Sequence, residues 1–190
     1  MTTLTISRFL TATSTAKPDS QFTAPIHDDG TVGYDARDLI ATYAEQQFEG
    51  GFSNYFSFSR WDGSHDMEGH QGTTALTLEY DLAHVDRVRD ALATLPLAYY
   101  EIPTIAGRSK AVLFAFPVEE ALDWTDTTRA ASLIAQTIEQ GGLFPNSFLY
   151  TYFFRFRDGG PITFRDGVLM SRAFIDEAHG IITRIKAFVR

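Results

Sequence analysis

Cysteine is absent from this chain. Its absence excludes a disulfide framework and thiolate chemistry, and it suits a reducing compartment. No apolar run approaches the roughly 20 residues of a membrane-spanning helix, so no membrane partner is expected. The first 17 residues have neither a basic stretch nor a long apolar one, and they do not read as a secretory signal. The sequence contains no Gly-x-Ser-x-Gly elbow, no GxGxxG and no GxxxxGK[ST] frame. Nothing therefore points to a hydrolase elbow, a dinucleotide fold or a P-loop.

Basic residues are scarce in the first half. Residues 1–100 hold 6 Lys+Arg against 14 Asp+Glu, while residues 101–190 hold 10 of each, and the whole carries −8. An acidic balance argues against strong non-specific nucleic-acid affinity, which grows with the number of phosphates neutralised. A local basic groove remains open in the second half, where Arg108, Lys110, Arg155, Arg157 and Arg165 lie.

What the chain does have is apolar bulk. With 190 residues, 44% hydrophobic and 16 of them Phe, it can bury a sizeable core as one domain, or as one domain with two lobes. The patterning predicts strands at Thr3–Leu10, Tyr55–Arg60, Ala75–Asp81, Ala98–Ile102, Ala111–Phe116 and Leu149–Phe156. A further piece at Ile162–Phe164 follows the Asp158–Pro161 turn as a hairpin. Helices are predicted at Asp35–Phe48, Val85–Leu95, Thr125–Gln140 and Ala173–Val189. Thr11–Ser20 reads as a loop. From Ala75 the order is strand, helix, strand, strand, helix, strand. The expected fold is α+β: an RRM-like, mostly antiparallel sheet with helices on one face, plus an N-terminal α/β lobe. The other sheet face is expected to be open to a nucleotide or nucleic acid.

The most informative stretch is Ala75–Asp81, an apolar strand that ends on Glu79 and Asp81. Side chains alternate across a strand, so both carboxylates point to one face with Cα atoms roughly 7 Å apart. Divalent ions there would offset their repulsion and could hold a phosphoryl substrate. The hairpin after Ile102 carries Arg108, Ser109 and Lys110 around Gly107, donors suited to phosphate oxygens. Arg155 and Arg157 alternate with Phe154 and Phe156 and share a face opposite the aromatics, a cationic stripe able to track a nucleic-acid backbone. Ser64–His70 offers metal-ligand residue types without the spacing of a known zinc site, and it reads as a polar loop. Tyr99-Tyr100 reads as core.

Over residues 70–170 this order resembles the archaeo-eukaryotic primase superfamily, most of all the primase-polymerase domains of phage and plasmid replication proteins. The resemblance implies that Glu79-Tyr80-Asp81 corresponds to the acid-x-acid strand end that binds two divalent metals, Mg²⁺ or Mn²⁺. Glu79 stands here for the commoner Asp. It also implies that Arg108-Ser109-Lys110 stands at the Ser-x-His position that holds the incoming nucleoside triphosphate, with Lys for His. The family's third acid would fall near Asn146, a neutral and weaker metal ligand, with Asp123 and Asp126 upstream.

The expectation that follows is a DNA primase-polymerase domain performing metal-dependent nucleotidyl transfer. Glu79 and Asp81 would be its catalytic metal ligands, Arg108, Ser109 and Lys110 its nucleotide-binding residues, and Arg155 and Arg157 its contacts to template or nucleotide. Its partners would be nucleoside triphosphates and a single-stranded or primed DNA template. Residues 1–70 would form the N-terminal lobe, 71–170 the catalytic core and 171–190 a C-terminal helix. That helix reaches Arg190 without a Gly, Asn or Pro stop, which predicts continuation into a helicase or initiator module. The location expected is the cytoplasm, the host's if the protein is phage-encoded. Two other readings stand beside this one: a catalytically silent primase-fold domain that binds DNA or a replication partner, and an unrelated acidic phage interaction module.

Overall fold

The computed structural model describes residues 2–10, 16–26, 35–49, 55–64, 66–106, 108–139, 145, 153–157 and 160–177. The elements run β1 (Thr3–Phe9), β2 (Ser20–Pro25), α1 (Ala36–Glu49), β3 (Tyr55–Ser57), β4 (Ser59–Trp61), β5 (His70–Asp81), α2 (Val85–Leu92), β6 (Tyr99–Ala106), β7 (Ser109–Leu122), α3 (Trp124–Glu139) and β8 (Thr163–Arg165). A 3₁₀ turn, Leu82–His84, joins β5 to α2. Residues 172–177 are helical.

The strands make a three-stranded sheet ordered β2-β1-β3 and a five-stranded sheet ordered β4-β5-β7-β6-β8. All of these pairings are antiparallel. The protein is a mixed α+β fold, as the element order implied.

Period-2 alternation along β5 sorts its residues between two cores. Leu76, Leu78 and Tyr80 face α2 and α3, where they pack with Val112, Phe114 and Phe116 of β7, Val88 and Leu92 of α2, and Ile134 and Ile138 of α3. Each such side chain contributes roughly 1.5–3 kcal/mol by leaving water. The apolar residues of α2, at Val85, Val88 and Leu92, recur at helical spacing and turn toward the sheet. Arg89 then ties this helix to β6. Its guanidinium reaches Glu101 at 2.6 Å and Asp86 at 2.8 Å. At the start of α3, the Asp123 carboxylate accepts the Asp126 N–H at 2.8 Å and caps the helix.

The opposite face of the five-stranded sheet is not open along its length. Ala75, Leu113, Ala115, Tyr100 and Ile102 pack there against Leu4 and Ile6 of β1, Phe56, Phe58, and Leu39, Ile40 and Tyr43 of α1. The N-terminal lobe covers this end, because its sheet has an apolar face to bury and the helices already occupy the other side.

Two segments join the sheets. Residues 55–61, expected as one strand, bend at Phe58, so that β3 pairs with β1 and β4 pairs with β5. Residues 153–157 pair on both sides. Phe154 exchanges two 2.9 Å backbone bonds with Phe56, Ile105 N–H donates to Arg155 at 3.0 Å, and Arg157 N–H donates to Pro103 at 3.0 Å. β8 continues along the same edge of β6, with Tyr99 opposite Arg165. The expected hairpin between these two segments is therefore replaced by successive pairing along one strand.

β2 was read as the end of a loop. It is an edge strand with Gln21, Phe22 and Thr23 exposed, and its only strand signal is the pairing that β1 supplies. Gly72 sits beside the bulges of β5 at φ 129°, where a Cβ would come within 2.9 Å of the Ala121 side chain. Of the expected C-terminal helix, residues 178–189 lie outside the described residues. Among the described residues, no helix is long and apolar enough to cross a membrane.

Candidate active site

The registers of β5, β7 and β6 put two rows of residues side by side on the face away from the helices. One row runs Glu79, Leu113, Ile102; the next runs Asp81, Ala111, Thr104, and bridges onward to Phe156. Glu79 and Asp81 thus share a face, as their i, i+2 spacing predicted. The apolar N-terminal-lobe core ends at the first row. Past it, Ala111 is the small residue lying between Asp81 and Thr104. Ser109, two positions from Ala111, occupies the same face at the mouth of the hairpin.

Glu79 is only 4% exposed. Burial pushes its pKa up, the neighbouring Thr104 hydroxyl pulls it down, and the Asp81 charge pushes it up again. The Thr104 hydroxyl lies near enough to favour the Glu79 carboxylate, yet it makes no hydrogen bond of normal geometry and is fully buried. Two carboxylates and a hydroxyl form an all-oxygen donor set of the kind hard divalent cations take, so the residues fit Mg²⁺ or Mn²⁺. Among the described residues, no group of three or more His, Asp or Glu side chains converges as a metal centre. Asn146, the expected weak ligand, and Gly107 lie outside the described residues.

Arg108, Ser109 and Lys110 are exposed at the start of β7. Strand alternation gives Ser109 the acid face. It gives Lys110, opposite Ile105, the face shared with Val112. Arg155 and Arg157 fall opposite Phe154 and Phe156, as expected, because both rings enter the N-terminal-lobe core. Arg155 lies over the Tyr55 ring at 5.7 Å. Arg157 approaches Gly160, where a Cβ would meet its guanidinium at 3.3 Å. The acids and the two arginines consequently occupy opposite sides of the paired strands. Arg165 bonds the Leu92 carbonyl at 3.0 Å and stands over Tyr99.

Sequence reasoning missed Thr104. Its signal was a polar residue continuing the inward alternation Tyr100, Ile102 on a buried strand. His70, read as part of a polar loop, opens β5 instead. Its Nε2 lies 3.0 Å from the Thr73 hydroxyl, and its ring sits between Trp61 and Trp124. Burial lowers its pKa and the Asp123 charge raises it.

The fold and site define a mixed α+β protein with an acid pair at the end of a central strand. No protein-family model and no curated protein matches the chain. Among solved structures, the AEP domain of the primase-polymerase of cyanophage S-2L is similar to it, at 13% identity and a TM-score of 0.47, over 93% of this chain and 88% of that one.

Proposed function

We propose that this chain is a primase-polymerase domain that performs metal-dependent nucleotidyl transfer on a DNA template. The observation that carries the reading is the buried Glu79 beside Asp81 on one face of β5, where the apolar cover of the N-terminal lobe stops. A carboxylate held that dry is costly unless a cation or a proton offsets its charge. Glu79 and Asp81 would hold Mg²⁺ or Mn²⁺, which supplies Lewis-acid activation of the primer hydroxyl and of the leaving pyrophosphate. Arg108 and Ser109 would bind the triphosphate from the hairpin mouth, with Lys110 adding charge from the far side of the strand. Arg155 and Arg157, on the opposite side, would contact the template backbone as it passes the edge of β6.

The test is primer extension with Mn²⁺. Glu79→Ala and Asp81→Ala should each abolish incorporation while the circular dichroism spectrum stays that of the parent. Two variants that extend primers as well as the parent would overturn the assignment. One observation favours the catalytically silent reading, in which the domain binds DNA or a replication partner: among the described residues, no third carboxylate joins the pair. Under that reading the parent binds primed DNA and extends nothing.

A further inference from the structure

We infer that Thr104 is the third oxygen donor of the Glu79/Asp81 cation site. The inference rests on the proposed metal role of the two acids and adds a residue to it. Thr104 is fully buried, and its hydroxyl satisfies no hydrogen bond among the described residues. Buried hydroxyls nearly always find a partner, and one left without demands a reason.

Its position supplies the reason. Thr104 stands in the same cross-strand row as Asp81, with Ala111 between them, so their Cα atoms are about two strand spacings, or roughly 10 Å, apart. Ala111 reaches no further than its Cβ, which leaves the space above it to the longer side chains on either flank. The Thr104 hydroxyl already lies close enough to bias Glu79 toward its charged form. A lone pair there faces the same volume as the two carboxylates. Hydroxyl oxygen suits a hard divalent cation, and it does so without adding a third negative charge to a partly dry pocket. This accounts for a pair of acids with no third beside them among the described residues. The strand also forbids the simplest alternative: residues flanking Thr104 on β6 pair with β7 and with residues 153–157, so their carbonyls are engaged in ladders.

The experiment is Mn²⁺ binding to the full chain, read by electron paramagnetic resonance of the free ion and by calorimetry, with no nucleotide present. The parent should bind. Thr104→Val, which keeps the shape and removes the hydroxyl, should weaken binding at least tenfold, and Thr104→Ser should restore it to within about threefold. Without Mn²⁺, thermal melts should place the Val variant no lower than the parent, since it loses no hydrogen bond. A Val variant that binds Mn²⁺ like the parent, while Glu79→Gln and Asp81→Asn do not, overturns the role of Thr104 and leaves the acid pair standing. Unimpaired binding in Glu79→Gln and Asp81→Asn overturns the acid pair itself. If the Val variant melts far below the parent, Thr104→Ser decides: weakened binding in a Ser variant of parental stability also overturns the inference.

Discussion

The two faces of the five-stranded sheet are built on opposite plans. On the helix side, Leu76, Leu78, Tyr80, Val112, Phe114 and Phe116 form an unbroken apolar surface sealed by α2 and α3. On the far side the same strands are apolar only where the N-terminal lobe covers them. They then turn polar at Glu79, Asp81, Thr104 and Ser109. One face is a core and the other is a core that stops short. The lesson is that the site is defined less by the acids than by the point at which apolar cover ends.

The comparison can be broken hardest from the helix side. Phe114 is fully buried among Tyr80 and Tyr99. Phe114→Ala should destabilise the fold by about 3–5 kcal/mol in a chemical denaturation, because the cavity cannot collapse between two sheets and a helix layer. A loss under 1 kcal/mol would mean that this face is as loosely built as the other.

The far face should respond with the opposite sign. Glu79→Gln removes a buried charge while keeping the side-chain shape, and it should raise stability by about 1 kcal/mol at neutral pH in the absence of metal. The pH dependence follows from the same cause. Burial lifts the Glu79 pKa above its ordinary value of 4.5. The folded chain then keeps a proton that the unfolded chain has released. Stability from this group is present below the ordinary value and is lost as the pH rises through the raised one. Melting curves of parent and Glu79→Gln should therefore diverge with rising pH, and parallel curves would count against the buried charge.

His70 runs the other way. Its lowered pKa means that the folded chain resists protonation. Its contribution is present at pH above the ordinary value of 6.5 and is lost as the pH falls through the lowered one. His70→Gln should flatten that acid limb of the melting curve without touching the limb assigned to Glu79.

The smallest stability effects belong to the hairpin mouth. Arg108→Ala and Lys110→Ala should leave stability within about 0.5 kcal/mol, since both side chains are exposed. They should still weaken nucleotide binding in Mn²⁺, by about 1–3 kcal/mol each, if they grip phosphate. Because Lys110 sits on the face of Val112, its effect should be the smaller, and calorimetry with the two variants side by side sharpens the distinction between the faces.

Much of this was legible in the sequence for a local reason. Ala75–Asp81 and Val85–Leu95 announce themselves by period 2 and period 3.6, and the structure places β5 and α2 there with boundaries shifted by a few residues. The shared face of Glu79 and Asp81 follows from alternation alone. What was not legible depends on partners distant in the chain. β2 has almost no apolar alternation and exists because β1 offers it a ladder. The covering of the far sheet face depends on residues 4–58 meeting residues 75–115, and no local pattern encodes that. The role of Thr104 hides for the same reason, since its row is set by registers across three strands.

The segment 153–157 bonds to Phe56 on one side and to Pro103 and Ile105 on the other. Phe56 and Phe154 stand about 100 residues apart, so this closure is among the most non-local contacts of the fold. Loop entropy rises slowly with length, but distant strand pairing slows the climb to the native state. During synthesis both partners leave the ribosome well before the segment that joins them. For that interval β3 and β6 expose bare backbone edges, which are templates for pairing with another chain. The last strand to arrive thus acts as the molecule's own edge guard, and refolding yield should depend on protein concentration more steeply when Phe154 or Phe156 is replaced than when a helix-side residue is.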